Sequence, residues 1–386
     1  MTLHRKAAVT GIGETEYSKT SVLSDRELQL QAVERAIADA GLKRSDIDGV
    51  IPSSTGQGFT CEGFSEHLGL DHVTFSTTLF FGGANGLIGM HAAALAVASG
   101  AARHVVVVAG RNGFSGAKIS ARPQLASPAF EATREFESPF GATVPMHFYA
   151  LIAQRHMHLY GSTSRQFGTV AITQRAHATL NSNAIMKAPM SLEDHQASRQ
   201  LVDPLRLFDC CIESDGAAAY IVSAADAARD SRHKPAWVLG IAEGHPDSPS
   251  SLATRHDVLR SGVGIAAPRA FGMAGISPQD LRAAMLYDPF TFLVILQLEA
   301  LGYCKPGEGG PFVEGGGIGL KGALPTNTHG GLLSQAHSMA GINHVCEAVK
   351  QLRGTAGAAS VAGTGPIVVT GNGDFGDGAV AILAGS

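Results

Sequence analysis

The sequence is poor in charge, in cysteine and in long apolar runs, and each shortage removes a class of protein. Charged residues make up 16% of the 386-residue chain, 29 Lys and Arg against 33 Asp and Glu, for a formal net charge of −4. No long basic run occurs, so a nucleic-acid partner has no electrostatic support. The 5 cysteines, Cys61, Cys210, Cys211, Cys304 and Cys346, are odd in number and form no Cys-x-x-Cys pair. With no signal-peptide pattern in the opening residues, they read as reduced thiols, and a cytoplasmic location is expected. The longest apolar stretch, Leu87 to Ala102, is rich in alanine and contains His91. It is too short to span a bilayer, and no membrane partner is expected.

What is present is a globular composition with an excess of glycine. Hydrophobic residues account for 45% of the chain, ample for a packed core. Glycine is 47 of 386 residues, about 12% against a usual ~7%. With no G-X-Y period, these glycines imply tight turns and close backbone approaches instead of collagen. Alternation of apolar strands with helical periods predicts an α/β protein. KAAVTGIG reads as a first strand. Ser24-Asp25-Arg26-Glu27 is a capping box opening a helix that Gly41 ends. Val50-Ile51 and Val73 to Ser76 read as strands. A glycine turn at 82–86, a small-residue helix and a buried strand, Val105 to Ala109, follow. Residues of about 112–205 differ, being charged, His-rich and helical, with helices expected over Met146–Tyr160 and Ser164–Leu180.

Ser214-Asp215-Gly216-Ala217-Ala218-Ala219-Tyr220-Ile221-Val222 is echoed by Gly376-Asp377-Gly378-Ala379-Val380-Ala381-Ile382-Leu383. Each copy is associated with a glycine turn, an alanine-rich helix and a valine-rich strand, at 83–109 and 341–370. A duplicated α/β unit with an insertion in its first copy accounts for this. The first half is expected over 1–245 and the second over 246–386.

Several catalytic motifs are matched only superficially. Gly371-Asn372-Gly373-Asp374-Phe375-Gly376 fits GxGxxG, but the segment after it reads as a strand, so a hairpin turn is expected and a dinucleotide site is not. No P-loop lysine follows Gly307 to Gly310. Ser115 lacks the GxSxG spacing. The 16 histidines include no HExxH, and His156 and His158 lie two apart on an expected helix, facing different ways. No metal site and no bound cofactor are expected.

Four stretches together resemble the thiolases, closest to their sterol-carrier-protein and lipid-transfer-protein branch. They are YALIAQRHMHLYGSTSRQFGTVAITQRAHATLN, DPLRLFDCCIESDGAAAYIVSAADAARD, YDPFTFLVILQLEALGYCKPGEGGPFVEGG and LPTNTHGGLLSQAHSMAGINHVCEAVKQLRG. The resemblance implies an α/β thiolase-like fold. It has two duplicated βαβαβαββ halves packed face to face, with a helical loop domain inserted in the first. It also implies an acyl-CoA substrate and a homodimer paired through an edge strand. Some members of the branch are retro-aldolases of steroid side-chain thioesters that work with an OB-fold, zinc-ribbon partner.

The departures from the family pattern fall on its chemistry. The nucleophilic cysteine position falls at Gly83, and glycine cannot carry an acyl group. The cysteine of the C-x-G motif falls at Asn372. The N-E-A-F motif falls at Tyr287-Asp288-Pro289-Phe290, and the G-H-P histidine remains as His337. A second tyrosine, present near that histidine in the retro-aldolases, is absent. Retro-aldol cleavage of a β-hydroxyacyl-CoA needs a base and a stabilised enolate but no thiolate. Tyr287 and His337 are expected to share the proton. The N–H groups of Gly83 and Gly373 are expected to hold the thioester oxygen. Asn372 is expected either to orient substrate or to suit a left-handed turn, while His329 and His344 are expected to be structural. Arg155, Arg165, Arg175, Lys187 and Arg199 are candidates for the CoA phosphate, none singled out. An acetyl-CoA acyltransferase of thiolase type and a non-catalytic acyl-CoA-binding subunit are the competing readings.

Overall fold

A computed structural model describes residues 2–53, 60–116, 131–247, 251–337, 340–373 and 376–385. Ser338, Asp374 and Phe375, which fall in the loop and turn named above, lie outside them, as does 117–130 of the expected insertion.

The first half runs β1 (Ala7–Glu14), α1 (Asp25–Ala40), β2 (Gly49–Pro52), α2 (Cys61–Leu68), β3 (Phe75–Ser76), α3 (Asn85–Ser99) and β4 (His104–Asn112). The inserted segment carries α4 (Pro145–Tyr160), α5 (Ser164–Ala178), α6 (Leu192–Ala197), β5 (Gln200–Val202) and β6 (Leu205–Arg206). The chain then returns through β7 (Asp215–Ala224) and α7 (Ala225–Arg229). The second half is β8 (Ala236–Gly244), α8 (Gly262–Ala274), β9 (Ala283–Met285), α9 (Thr291–Ala300), α10 (Gly309–Glu314), α11 (Gly331–Ser334), α12 (Ile342–Arg353), β10 (Ile367–Asn372) and β11 (Gly378–Ala384). The capping box forms as expected: the Ser24 hydroxyl accepts the Glu27 N–H at 3.3 Å and the Glu27 carboxylate accepts the Ser24 N–H at 2.8 Å. Gly41, at φ 72°, ends the helix. The GxGxxG match is a hairpin connection, since β10 and β11 pair antiparallel on either side of it.

The strands form one nine-stranded sheet in the order β3-β2-β4-β7-β1-β8-β11-β10-β9. Within it β2-β4-β7-β1 is repeated as β9-β10-β11-β8. In each copy the first pair is parallel and the others antiparallel. The copies meet where β1 pairs with β8 through Ala8 and Trp237. β3, beside β2 in the first half, is answered in the second by a single parallel bridge from Ala284 to Thr326. Both halves therefore follow βαβαβαββ, and the second repeat starts at β8, ahead of residue 245.

Alternation along the strands assigns the layers. Val106, Val108 and Ile221 face α1 and α2. Val105, Val107 and Tyr220 face the opposite way, onto α3 and α12, and so do Ile367 and Val369 from the second half. Val368 and Ile382 face α8 and α9. The two halves of the one sheet thus each lie between outer helices and a shared middle layer, in which α3 and α12 are buried. No helix among the described residues is long and apolar enough to cross a membrane.

Part of the glycine excess has a repeated purpose. A Cβ at Gly11 would lie 2.3 Å from the Ala36 carbonyl oxygen, and one at Gly13 2.1 Å from that of Ala32. In the second half a Cβ at Gly240 would lie 2.1 Å from the Ala270 oxygen, and one at Gly244 2.3 Å from that of Gly262. Each repeat therefore presses its first strand against the backbone of its first helix. Gly240→Ala is expected to destabilise by about 3 kcal/mol, since main chain must move. Gly272→Ala, on the exposed side of α8 with nothing within 4 Å of its Cβ, is expected to gain about 0.5–1 kcal/mol. Urea unfolding of the two variants beside the parent checks both signs.

Candidate functional site

The middle helices begin beside one another. The N–H of Gly86 donates to the Ala340 carbonyl at 3.2 Å, and a Cβ at Gly86 would lie 2.4 Å from that oxygen. The buried Tyr220 hydroxyl fixes the same turn by donating to the Gly86 carbonyl at 2.5 Å. Gly341, at φ 77°, precedes α12. Such helix starts carry partial positive charge and unpaired N–H groups.

Tyr287 lies just past β9, and its peptide groups are fully engaged. Its N–H donates to Thr370 Oγ1 at 3.0 Å, and its carbonyl accepts from Gln297 Nε2 at 2.7 Å. Thr370 in turn donates to Gln297 Oε1 at 2.6 Å, so β10 and α9 hold the residue together. The phenol projects onto Gly83. A Cβ there would lie 2.2 Å from both Tyr287 Cζ and Oη. The tyrosine therefore occupies the volume that any side chain at position 83 would need.

His337 follows α11 and reaches the same place. Its Nε2 lies 3.2 Å from Tyr287 Oη. Its N–H donates to Ser214 Oγ at 2.9 Å, and its backbone bridges to Glu213 in parallel sense. The residue after Tyr287 positions this loop too. The Asp288 carboxylate accepts the Leu332 N–H at 2.9 and 3.1 Å, and a Cβ at Gly331 would lie 2.1 Å from Asp288 Oδ2. Burial pushes the Asp288 carboxyl above its ordinary range, against the hydrogen bond from His344 at 2.9 Å. The structure thus brings Tyr287, His337 and Gly83 together as expected.

Asn372 and Gly373 depart from expectation in detail. Asn372 ends β10, outside the left-handed region, so the turn reading is withdrawn. Its side-chain amide donates to the Tyr149 hydroxyl at 2.8 Å and the Gly373 carbonyl at 3.1 Å. Tyr149, on α4 of the insertion, donates to that carbonyl at 2.5 Å. The N–H of Gly373 is donated to the Asp377 carbonyl at 2.6 Å, so it does not serve as an oxyanion donor in this conformation. Gly83 differs: the turn at Gly82–Ala84 uses the N–H groups of Ala84 and Asn85, not its own.

One neighbour carries no signal in the sequence. Cys211 Sγ lies 3.1 Å from His337 Nδ1. Burial pushes this thiol well above its ordinary range, helped by Cys210, Asp288 and Glu213 and opposed by Arg111. Cys61 is elsewhere, bonded to Thr78 Oγ1 at 3.3 Å.

The other candidates separate cleanly. Arg175 is buried, donating to Ser334 Oγ at 3.0 Å and to the Ala188 carbonyl at 3.2 Å, which withdraws it as a CoA ligand. Arg155, Arg165, Lys187 and Arg199 are exposed. His344 is committed to Asp288, and His329 is buried edge-on against it at 4.8 Å, its pKa pulled well down by burial. His156 bonds Ser162 at 2.8 Å and Glu299 at 2.9 Å. No group of three metal-ligating side chains is present among the described residues.

Comparison with known proteins bears on the family and the fold. The family model for the thiolase C-terminal domain-like region matches residues 244–385. The chain is 40% identical over 361 residues to a steroid side-chain-cleaving aldolase of Thermomonospora curvata, covering 90% of each. It is 37% identical over 375 residues to the 17-hydroxy-3-oxo-4-pregnene-20-carboxyl-CoA lyase of Mycobacterium tuberculosis, covering 95% of this chain and 96% of that one. A solved Ltp2-ChsH2(DUF35) aldolase superposes with a TM-score of 0.93 at 36% identity, over 100% of this chain and 99% of that one. The chain belongs to the thiolase superfamily of acyl-CoA enzymes, in the branch shared by the sterol-carrier-protein thiolases and the steroid side-chain-cleaving aldolases.

Proposed function

We propose that the protein is a carbon–carbon lyase that cleaves the Cα–Cβ bond of a β-hydroxyacyl-CoA derived from a steroid side chain. The observation that carries this reading is the Tyr287 phenol seated in the space of the missing nucleophile, 3.2 Å from His337 Nε2. The Tyr287–His337 pair takes the proton of the β-hydroxyl. That O–H electron pair becomes the carbonyl of the departing ketone, and the Cα–Cβ pair passes to the thioester as an enolate. The Gly83 N–H at the start of α3 holds the enolate oxygen, and the proton returns to Cα. No covalent intermediate is required. Asn372 and Tyr149 orient the substrate from the other side.

A thiolase-type acyltransferase needs a thiolate, and the thiol beside His337 is held protonated by its surroundings. The same proposal includes a homodimer and an OB-fold, zinc-ribbon partner subunit. β3 is an outermost strand of the sheet, which supports pairing across a two-fold axis. The experiment is to incubate the protein, with and without such a partner, with 17-hydroxy-3-oxo-4-pregnene-20-carboxyl-CoA. Release of a 17-keto steroid and a short acyl-CoA supports the reading; intact substrate in both arms sinks it.

Two variants test the chemistry. Tyr287→Phe keeps the ring volume and is expected to lower single-turnover rate by about 10²–10⁴-fold with binding retained. His337→Ala is expected to match it, and the double variant to be scarcely worse, because the residues act as a unit. A near-parental rate in Tyr287→Phe removes it from the mechanism. Gly83→Cys is expected to lose lyase turnover without gaining acyl transfer, because the new Cβ collides with the phenol. Intact-mass measurement after incubation with acetyl-CoA should show no acetyl adduct; a stoichiometric one would show that the phenol yields the space freely.

A further inference from the structure

We propose that Cys211 is a positioning residue that decides which ring nitrogen of His337 carries the proton, and so which way the Tyr287–His337 hydrogen bond points. The inference rests on the lyase reading for its consequence in catalysis, though not for its geometry.

Cys211 lies between the two segments that carry the chemistry. Its N–H donates to the Pro289 carbonyl at 2.8 Å, two residues past Tyr287, and Cys210 bridges to Phe290. On the other side Glu213 and Ser214 hold the backbone of His337, while the Cys211 sulfur meets Nδ1 at 3.1 Å. One short run of chain therefore splints Tyr287 to His337. It also places the Cys211 thiol beside Nδ1 of the imidazole.

A neutral imidazole has one donor nitrogen and one acceptor nitrogen. A protonated thiol donates, and its sulfur accepts only weakly. The environment of Cys211 keeps the proton on sulfur: burial dominates, Cys210, Asp288 and Glu213 reinforce it, and Arg111 alone opposes. The S–H therefore donates to Nδ1, and the proton of His337 resides on Nε2. Nε2–H then donates to Tyr287 Oη across the 3.2 Å contact. With its oxygen already accepting from His337, the phenol directs its own proton toward substrate. In the cycle the phenolate of Tyr287, stabilised by the same Nε2–H, takes the β-hydroxyl proton, and the phenol so formed returns it to Cα of the enolate. Tyr287 is then the group that exchanges protons with substrate, and His337 stands behind it without changing its own proton count. An S-acylated Cys211 has no part in this scheme.

Histidine labelled with ¹⁵N in the ring, observed in the full chain, reads the tautomer directly. The His337 signal is assigned by its loss in His337→Ala. The parent is expected to show Nδ1 as the bare nitrogen and Nε2 as the protonated one. Cys211→Ala is expected to give a mixture of tautomers and to lower kcat by about tenfold with KM unchanged. Cys211→Ser, whose hydroxyl also donates, is expected to restore both. A parent protonated on Nδ1, or Cys211→Ala with tautomer and kcat unchanged, would overturn the proposal. An acyl adduct on Cys211 after incubation with substrate would overturn it as well. If Cys211→Ala does not fold, the parent spectrum and Cys211→Ser still decide. A parent with no lyase turnover but the expected spectrum would refute the proposed reaction and leave the tautomer assignment standing.

Discussion

The site depends on one close approach: the start of α3 lies against the residues that open α12, with the Gly86 N–H on the Ala340 carbonyl. No side chain at position 86 is compatible with that contact, since its Cβ would sit 2.4 Å from the oxygen. The contact is a product of the repeat. Two copies of one unit share a middle layer, and their equivalent helices begin at the same place. Tyr287 is gripped there, with Gly83 against its hydroxyl end and Gly341 so close that a Cβ on it would lie 3.1 Å from Cδ2. Two helix starts converge where negative charge develops on a thioester, and their dipoles are fixed before substrate arrives.

Much of this architecture is written locally. The alternation of apolar strands with helices, the capping box at Ser24 and the echo of 214–222 in 376–383 each depend on neighbouring residues, and each takes its expected form. The meeting of Tyr287 and His337 is different. They are 50 residues apart, and only the resemblance to a family predicts their contact. What sequence reasoning misses lies further away still. Tyr149 reaches Gly373 across 224 positions, and Cys211 reaches His337 across 126. Nothing in the run Asp209-Cys210-Cys211-Ile212 marks either cysteine as a neighbour of an imidazole. Gly373 fails for a local reason, because the hairpin it belongs to consumes its N–H. Arg175 fails for a tertiary one: α5 packs on α11, and its guanidinium becomes a tie between the two.

Burial works against charge on several groups around Tyr287. The Cys211 thiol keeps its proton, burial disfavours ionisation of Asp288, and His329 is pulled well down from its ordinary pKa. Each follows from desolvation, which penalises whichever form is charged. In such surroundings the negative charge passes from the phenolate to the enolate. Fixed dipoles and the Nε2–H of His337 act on it at close range. A thiolate at Cys211 would repel the phenolate and the enolate. The site is therefore less suited to storing an anion on that sulfur.

The same geometry explains why acyl transfer and aldol cleavage exclude each other on this scaffold. Acyl transfer needs a side chain at position 83 long enough to carry a thioester. Aldol cleavage needs a phenol whose oxygen reaches both His337 and substrate. A Cβ at position 83 would lie 2.2 Å from the phenol, less than a non-bonded contact permits, so in this conformation the two devices compete for one space. The glycine at 83 is thus not merely a lost cysteine. Its missing Cβ is the cavity into which Tyr287 extends, and the N–H left beside that cavity lies in the turn that leads into α3. A substitution that removes one chemistry creates the room for the other, while the framework that binds the acyl-CoA is retained.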